Sequence, residues 1–484
     1  MPSASASISP ASIAGRRVWM VGAAGTGMSG LARLLAAAGA VVRGEDADGG
    51  EALDRLVQEG FAMQSGTAPA LPEDTDLVVA TAAIPAAHPT LARARARGLP
   101  IRTYAQTLGQ LHLERTGVSV AGTHGKSTTT CLLTWCLMRS GLDPGFIAGA
   151  TCGVLGGNAR PGASRTPTGP FQGRGGLLVT ESCEFDRSFH NLRPATAIVN
   201  NVEAEHLDCY ADLDEVIESF THFAGSLPPA SDGGFLLIAH EGANRKRVCA
   251  RTRAAVETFG PHAEATHRVE RAADGGVRVI SRGRESLRWH PSLIGAHNAL
   301  NAAAAGVMAL RLGADRAAVE AALSDFPGLD RRQQAIGRIP AAPSDVRVFD
   351  DYGHHPTEIR VTLRAFREAF PGQRLICVFQ PHQHSRTRHL LEDFGRAFSD
   401  AHRVILPPIH FVRDPESERA LVNSEMVADR VRAAGGDAVA VSDLAAATAS
   451  VRACVRAGDI VVTMGAGAVW KVARSLVGGG TDGR

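Results

Sequence analysis

At 484 residues the chain is far longer than one core needs, and ~100 to 200 residues per domain predicts three units. Its 51 basic and 49 acidic residues are interspersed, the net charge is +2, and only four Trp and three Tyr occur, which excludes a basic nucleic-acid face, an acidic tail and a base-stacking surface. The eight cysteines form no C-x-x-C pair and no uncharged apolar run approaches ~18 residues, so the expectation is a cytoplasmic α/β protein without zinc knuckle, disulfide framework or membrane span.

Residues 1–14 are Ala/Ser/Pro-rich, with neither a charged start nor an apolar stretch, and are expected to be a disordered tail rather than a signal peptide. The first unit, 15–115, opens with the apolar run Arg17–Val21, the turn Gly22-Ala-Ala-Gly-Thr-Gly27, a helical spacing from Met28 to Ala38, and Val41–Asp46. This βαβ opening is Rossmann-like. Gly22, Gly25, Thr26, Gly27 and Met28 are placed to set a diphosphate on a helix N-terminus, and Glu45 or Asp46 to meet a ribose hydroxyl. The order G-x-x-G-x-G departs from the dinucleotide pattern G-x-G-x-x-G. A second βα step is expected at Asp76–Ala80 and Thr81–Ile84.

The central unit, 116–338, holds the stretch Val118-Ser-Val-Ala-Gly-Thr-His-Gly-Lys-Ser-Thr-Thr-Thr130, which reads as strand, phosphate loop and helix. Gly122 and Gly125 allow backbone N–H groups close to a triphosphate, Lys126 adds a mobile cation, and the Ser127 hydroxyl is a Mg²⁺ ligand type. Val120 stands where the common P-loop has its first glycine. The run from Gly153 to Gly176, rich in Gly, Arg, Pro and Thr, is expected to be a mobile loop. Leu177–Glu181 and Ala195–Asn201 are strands, the second followed by Glu203, Glu205, His206 and Asp208; carboxylates and imidazole at strand ends beside a phosphate loop suit a Mg²⁺ shell. Gly295-Ala-His-Asn-Ala-Leu-Asn301 opens a helix whose His297, Asn298 and Asn301 either hold a base or ribose or, for Asn298, cap the helix. Phe326–Gln333 reads as a linker whose adjacent arginines reach phosphates.

The last unit, 339–484, is a second nucleotide-binding-like α/β unit without a phosphate loop of its own. Val346–Pro356 is a strand ending in the polar turn of Asp351, His354 and His355, with Pro356 opening a helix. Arg374–Gln380 leads to Pro381-His-Gln-His-Ser-Arg-Thr-Arg388, where Arg386 and Arg388 are set to clamp a carboxylate. Strands at 404–406 and 459–463 and a turn at Gly465–Ala468 complete the unit.

Taken together, the motifs resemble the Mur ligase family, and most closely its alanine-adding members, over nearly the full length. They are Gly122–Thr130, Asn201–Tyr210, Gly295–Asn301, Phe326–Arg332, Asp350–Pro356, Phe379–His382 and Gly465–Gly467. The resemblance accounts for the unusual phosphate loop, since G-T-H-G-K-[ST] is that family's own variant. It implies three α/β domains: an N-terminal Rossmann-like UDP-binding domain, a central P-loop-type ATPase domain and a C-terminal Rossmann-like domain that meets the amino acid. It also implies a reaction: ATP phosphorylates the lactyl carboxylate of UDP-N-acetylmuramate, the amine of L-alanine attacks the acyl phosphate, and domain closure keeps water out, in peptidoglycan precursor synthesis. By resemblance Gly122, Thr123, His124, Gly125, Lys126, Ser127 and Thr128 cradle ATP, and His297, Asn298, Asn301 and Arg332 complete its site. Ser127, Glu181 and His206 fall at Mg²⁺, and Asp351, His354 and Arg386 near the reacting groups.

Three departures stand out. Gln383 replaces a family arginine and His384 an apolar residue; Cys183 replaces a carboxylate in Glu181-Ser-Cys-Glu-Phe-Asp186; Ala24 replaces a glycine of the UDP turn. Other readings of the same residues are a murein peptide ligase, a non-catalytic descendant that binds UDP-sugar, and a nicotinamide-dependent oxidoreductase built on the first unit. The last leaves the Lys126 loop without a purpose.

Overall fold

A computed structural model describes residues 12–47, 49–66, 70–204, 209–412 and 414–478. The chain divides into two compact units, one of Met1–Ser292 and Leu300–Phe326, the other of Leu293–Ala299 and Pro327–Arg484. The first unit carries two sheets.

Its N-terminal sheet has strands β1 (Arg17–Val21), β2 (Val41–Asp46), β3 (Ala62–Ser65), β4 (Leu77–Ala80) and β5 (Ile101–Thr103) in the order β3-β2-β1-β4-β5, all parallel. The order reverses at β1, so the turn after β1 sits at the topological switch point where such sheets bind ligands. The helix expected directly after β4 begins only at Pro89, with His88 accepting from Thr90 N as its cap; Thr81–Ile84 is a turn. Alanine content suggested helix there, but Pro85 disfavours helical backbone in the residue before it.

The central sheet adds β6 (Thr116–Ala121), β7 (Gly145–Cys152), β8 (Gly157–Arg160), β9 (Leu177–Glu181), β10 (Thr196–Val199), β11 (Phe235–Ala239), β12 (Ala255–Gly260), β13 (His267–Arg271), β14 (Val277–Ser281) and β15 (Arg284–Trp289). They run β15-β14-β13-β12-β11-β10-β6-β9-β7-β8. Strand β6 is buried on both faces, and helices such as Lys126–Arg139 cover the sheet. Strands β12 to β15 went unread in the sequence because residues 255–289 alternate charged and apolar types on a half-solvated extension. The glycine-rich run 153–176 is also more than a loop. It contains β8, an antiparallel bridge joins Arg165 to Gly175, and the Arg115 guanidinium donates to the carbonyls of Pro161, Ala163, Gly176 and Leu177 at 2.8–3.2 Å. One cation bonded to four carbonyls replaces the apolar periodicity that the run lacks.

The second unit holds β16 (Gln334–Ile339), β17 (Val346–Asp351), β18 (Leu375–Phe379), β19 (Arg403–Leu406), β20 (Ala438–Ala440) and β21 (Ile460–Met464), ordered β16-β17-β21-β18-β19-β20 with only β16 antiparallel. Residues 327–338, read in the sequence with the central unit, therefore belong with this sheet. Pro356 sits in the first turn of the helix Pro356–Ala369, where His355 and Glu358 form a reciprocal capping box.

Candidate active site

Strand β6 ends where Gly122 (φ 135°) and Gly125 (φ 79°) take backbone conformations that side chains resist. Both glycines are also walled in. A Cβ on Gly122 would lie 3.0 Å from Asn200, and one on Gly125 would lie 2.5 Å from the Asn301 Oδ1. The loop between them is fixed from the end of β10: Thr123 N donates to the Asn201 carbonyl, and His124 N donates to Asn201 Oδ1 at 2.7 Å. Asn200 Nδ2 reaches the Thr129 hydroxyl at 3.0 Å, and Glu203 N donates to Thr123 Oγ1 at 2.9 Å.

Lys126 folds back over this loop. Its ammonium donates to the carbonyls of Gly122 (2.6 Å) and Thr123 (2.9 Å) and lies 3.0 Å from Glu184, with the two side chains 11% and 2% exposed. A buried pair of this kind is sustained by the further hydrogen bonds around it, which here come from the two carbonyls. Glu184 is a site residue that the sequence reading missed. Attention went to Glu181 because it ends β9, whereas Glu184 is brought under the lysine by the irregular backbone after it, where Asp186 and Arg187 take positive φ. Glu181 rests one oxygen on the Gly149 N–H at 2.6 Å, and Gly149 has room for it only because it lacks a side chain. Cys183 is a neutral thiol here, pushed up to about 12 by burial and by Glu184, so the substitution removes a negative charge beside Lys126.

Ser127 and Thr128 lie buried in the first turn of the Lys126–Arg139 helix, whose N-terminus faces the loop. Ser127 and Glu181 each offer oxygen, the donor type that Mg²⁺ takes. His206 lies outside the described residues, as do Glu205 and Asp208.

The turn after β1 is built differently. Gly22 takes φ 79°, and both Gly22 N and Ala23 N donate to the Glu45 carbonyl, while Ala24 N donates to Asp46 Oδ2 at 2.8 Å. Gly25 caps the helix Thr26–Ala37, and Gly27 lies under the Tyr104 ring, 3.2 Å from where its Cβ would be. Thr26 gives its carbonyl to Asn158 Nδ2 at 2.6 Å, which ties the turn to β8 of the neighbouring sheet. Two details differ from expectation. The Met28 side chain is buried in the core, which leaves only its backbone N–H for a ligand. Glu45 also points inward, onto the Thr90 hydroxyl at 2.6 Å, so of the two acids only Asp46 faces the turn. Tyr104 was not foreseen; half-buried, it lies against Gly27 and within the field of Glu181, whose charge and the ring's burial push its phenol up.

In the second unit the polar turn after β17 is charge-poor. Asp351, 4% exposed, accepts from Gly353 N at 2.7 Å and Gln333 N at 2.9 Å, and burial pushes it up to about 6. His354 bonds the Tyr352 carbonyl through Nδ1 at 3.2 Å, and burial lowers it to about 4, so the ring is neutral at pH 7. Arg386, on the short helix His384–His389, lies close enough to His354 to depress it further and makes no side-chain hydrogen bond among the described residues. Arg388 is not its partner in a clamp: it is exposed and paired with Glu418 at 3.1 Å. His355 accepts from Thr357 N through Nδ1 as the cap of the following helix. Gln383 caps the His384–His389 helix at φ 66°, and His384 N donates to Asp414.

His297, Asn298 and Arg332 also gather in this unit. Asn298 Nδ2 donates to the Ile294 carbonyl at 2.9 Å and to Gln333 at 3.0 Å, so it does not act as the helix cap. His297 lies 3.4 Å from the same Gln333 and is lowered to about 4 by burial and Arg332. Arg332 stacks on Tyr352 at 5.2 Å beside Glu358. Its neighbour Arg331 is structural, bonded to Asp350 at 3.0 Å and to the Gly465 carbonyl at 2.6 Å. Asn301 lies against Gly125 in the first unit.

Comparison with known proteins supplies what geometry does not. Residues 17–116 match the description "Mur ligase family, catalytic domain", 120–309 "Mur ligase middle domain" and 331–467 "Mur ligase, glutamate ligase domain". The chain is 35% identical over 465 residues to a UDP-N-acetylmuramate–L-alanine ligase of Desulfitobacterium hafniense, covering 95% of this chain and 99% of the relative. It is 38% identical to the protein of that name from Kineococcus radiotolerans, covering 94% of each. Among solved structures, a UDP-N-acetylmuramate–alanine ligase of Thermotoga maritima shares the fold with TM-score 0.76 at 24% identity, covering 95% of this chain and 98% of that one. A murein peptide ligase of Psychrobacter arcticus does so with TM-score 0.69 at 24% identity, covering 97% and 100%.

Proposed function

The chain belongs to the Mur ligase family, and on that premise we propose that it joins L-alanine to the lactyl carboxylate of UDP-N-acetylmuramate at the expense of ATP, in peptidoglycan precursor synthesis. The observation that carries this reading is the similarity to alanine-adding ligases at 34–38% identity along almost the whole chain. No described helix is long and apolar enough to cross a membrane, and both substrates are small polar molecules; we place the reaction in the cytoplasm.

A carboxylate is a poor acylating agent until one oxygen becomes a leaving group. The lactyl carboxylate oxygen attacks the γ-phosphorus, the bond to ADP breaks, and an acyl phosphate forms. The deprotonated amine of L-alanine then attacks the carbonyl carbon, and the tetrahedral intermediate expels inorganic phosphate as the C–N bond is completed. Thr123 and His124 spend their N–H groups on Asn201, so the main-chain donors for the phosphates are those of Gly125 and the first turn of the following helix, and Lys126, released from its loop carbonyls, neutralises charge on the phosphoryl group in flight. Glu184 keeps that ammonium oriented before ATP arrives. Ser127 and Glu181, with His206, are assigned to Mg²⁺, which when bound screens the β- and γ-phosphate oxygens.

In the turn Gly22–Met28 the N–H groups from Gly25 onward take the UDP diphosphate, while those of Gly22, Ala23 and Ala24 bond Glu45 and Asp46 and hold the turn in shape. In the second unit His297, Asn298 and Arg332 are assigned to the nucleotide. Arg386 is assigned to the alanine carboxylate as a single cation, because Gln383 offers no charge and Arg388 is engaged elsewhere. Neutral His354 and the raised Asp351 are set near the incoming amine. Since both Asp351 oxygens accept main-chain N–H bonds, its role is to position the turn.

The test is release of phosphate from ATP with UDP-N-acetylmuramate and a panel of L-alanine, glycine, L-serine and a muramyl-type tripeptide. Turnover is expected with L-alanine first. A preference for the tripeptide, or turnover independent of any amine, overturns the proposal.

A further inference from the structure

A second candidate metal centre lies in the first unit, away from the residues assigned above. Strands β11 and β12 end side by side, and the loops that leave them carry His240, His262 and Glu264. One ring nitrogen from each histidine and one carboxylate oxygen of Glu264 lie within 4.8 Å of one another, and no other such group of three occurs among the described residues. The two rings stack at 4.8 Å with an interplanar angle of 11°.

The surroundings prepare His240 as a ligand. Its Nδ1 faces the Thr258 hydroxyl at 3.1 Å, and Thr258 Oγ1 is itself held by Thr266 N at 3.0 Å, which fixes the orientation of the ring. Glu241 steadies the second loop by accepting from His262 N at 2.9 Å. His262 is exposed, and its Nδ1 accepts only a long 3.2 Å bond from Glu264 N, so the ring is at liberty to turn either nitrogen inward.

We propose that His240, His262 and Glu264 bind a borderline-soft divalent transition ion such as Zn²⁺, with a fourth position left to water. Two imidazoles and one carboxylate are a donor set that favours such ions over Mg²⁺, which takes oxygen ligands. The β12 end lies three strands from the phosphate-loop strand β6, roughly 14 Å at ~4.8 Å per strand, so this ion is separate from the one assigned to ATP.

The test is equilibrium dialysis of the full chain against micromolar Zn²⁺ with excess Mg²⁺ present, comparing the natural protein with His262→Ala, Glu264→Gln and Thr258→Val. The natural protein is expected to retain one Zn²⁺ equivalent more than His262→Ala. Glu264→Gln and Thr258→Val are each expected to bind at least about tenfold more weakly. Thermal melting and alanine-dependent phosphate release are expected to be unchanged in His262→Ala, which establishes that the lost ion is not a sign of misfolding. Equal uptake by the natural protein and His262→Ala, or no uptake by either, overturns the proposal.

Discussion

The first unit contains two strand–glycine turn–helix devices, one after β1 and one after β6, and they differ in what surrounds the glycines. At Gly22–Gly27 the turn is held by the Glu45 carbonyl and the Asp46 carboxylate, and no lysine or arginine lies within its sequence. At Gly122–Lys126 the turn carries its own ammonium, paired with a carboxylate and flanked by a second one at Glu181. The first arrangement suits a phosphate group that only has to be held. On the function proposed above, the second would place a movable charge where negative charge develops and rate is gained. A static turn and a chemical one are thus told apart by the ionic groups behind the glycines.

The largest effect that would test this contrast is at Lys126. Lys126→Ala is expected to lower alanine-dependent phosphate release by a factor of about 10³ or more. It also leaves Glu184 buried without its cation, which costs about 3–5 kcal/mol of stability. The double variant Lys126→Ala/Glu184→Gln separates the two consequences. Its melting temperature is expected to recover while turnover stays lost; recovery of both would make the pair a structural feature only. Next in size, Glu181→Ala is expected to cost about 10² in kcat and to shift the Mg²⁺ dependence to higher concentration. An unchanged Mg²⁺ titration would remove Glu181 from the metal.

The strand, glycine turn and helix around Gly-Thr-His-Gly-Lys-Ser were legible in the sequence because the pattern is local. The same holds for Pro356, whose place in the first helical turn depends on its immediate neighbours, whereas Asp46 was read as a ribose contact and its bond to Ala24 N was not foreseen. Glu184 was not legible, since its pairing with Lys126 depends on the positive-φ kink at Asp186 and Arg187 and on two strands meeting across the sheet. Arg388 was misread for the same reason: its partner Glu418 is 30 residues distant, and nothing in Ser-Arg-Thr-Arg distinguishes the engaged arginine from Arg386. Strands β12 to β15 and the Arg115 clamp were missed because a half-solvated sheet extension and a cation-stitched loop leave little apolar periodicity. The resemblance of the motifs to the alanine-adding members is borne out by the comparisons with known proteins.

Glycine replacements sharpen the contrast at intermediate size. Gly22→Ala forces a Cβ to 2.7 Å from Thr81 Cγ2 at φ 79°, and Gly125→Ala forces one to 2.5 Å from Asn301 Oδ1 at the same φ. Each carries about 1–2 kcal/mol of left-handed backbone strain besides the clash. The expected difference is in which constant moves: KM for UDP-N-acetylmuramate rises in Gly22→Ala with kcat retained, whereas Gly125→Ala lowers kcat. Identical losses of kcat in both would erase the distinction between holding and transferring.

The smallest effects come from the two adjacent acids at the end of β2. Asp46→Ala removes the acceptor of Ala24 N and is expected to raise KM for the UDP-sugar by about three- to tenfold, the equivalent of one hydrogen bond to a charged group partly replaced by water. Glu45→Gln is expected to leave KM alone, because that side chain faces Thr90 and the core. Its effect is on stability. Burial raises Glu45 above its ordinary value despite the Thr90 hydrogen bond and His88, so the stability tied to its proton is present below the unfolded-state value and is lost as pH rises through the folded one. The neutral amide keeps an acceptor for Thr90 and does not ionise. Glu45→Gln is therefore expected to melt about 1–2 °C above the natural protein at pH 7–8 and to match it near pH 4.5. If the gain were instead largest in acid, Glu45 would be held as a favourable anion, and it rather than Asp46 would have to be reconsidered as the acid that serves the turn.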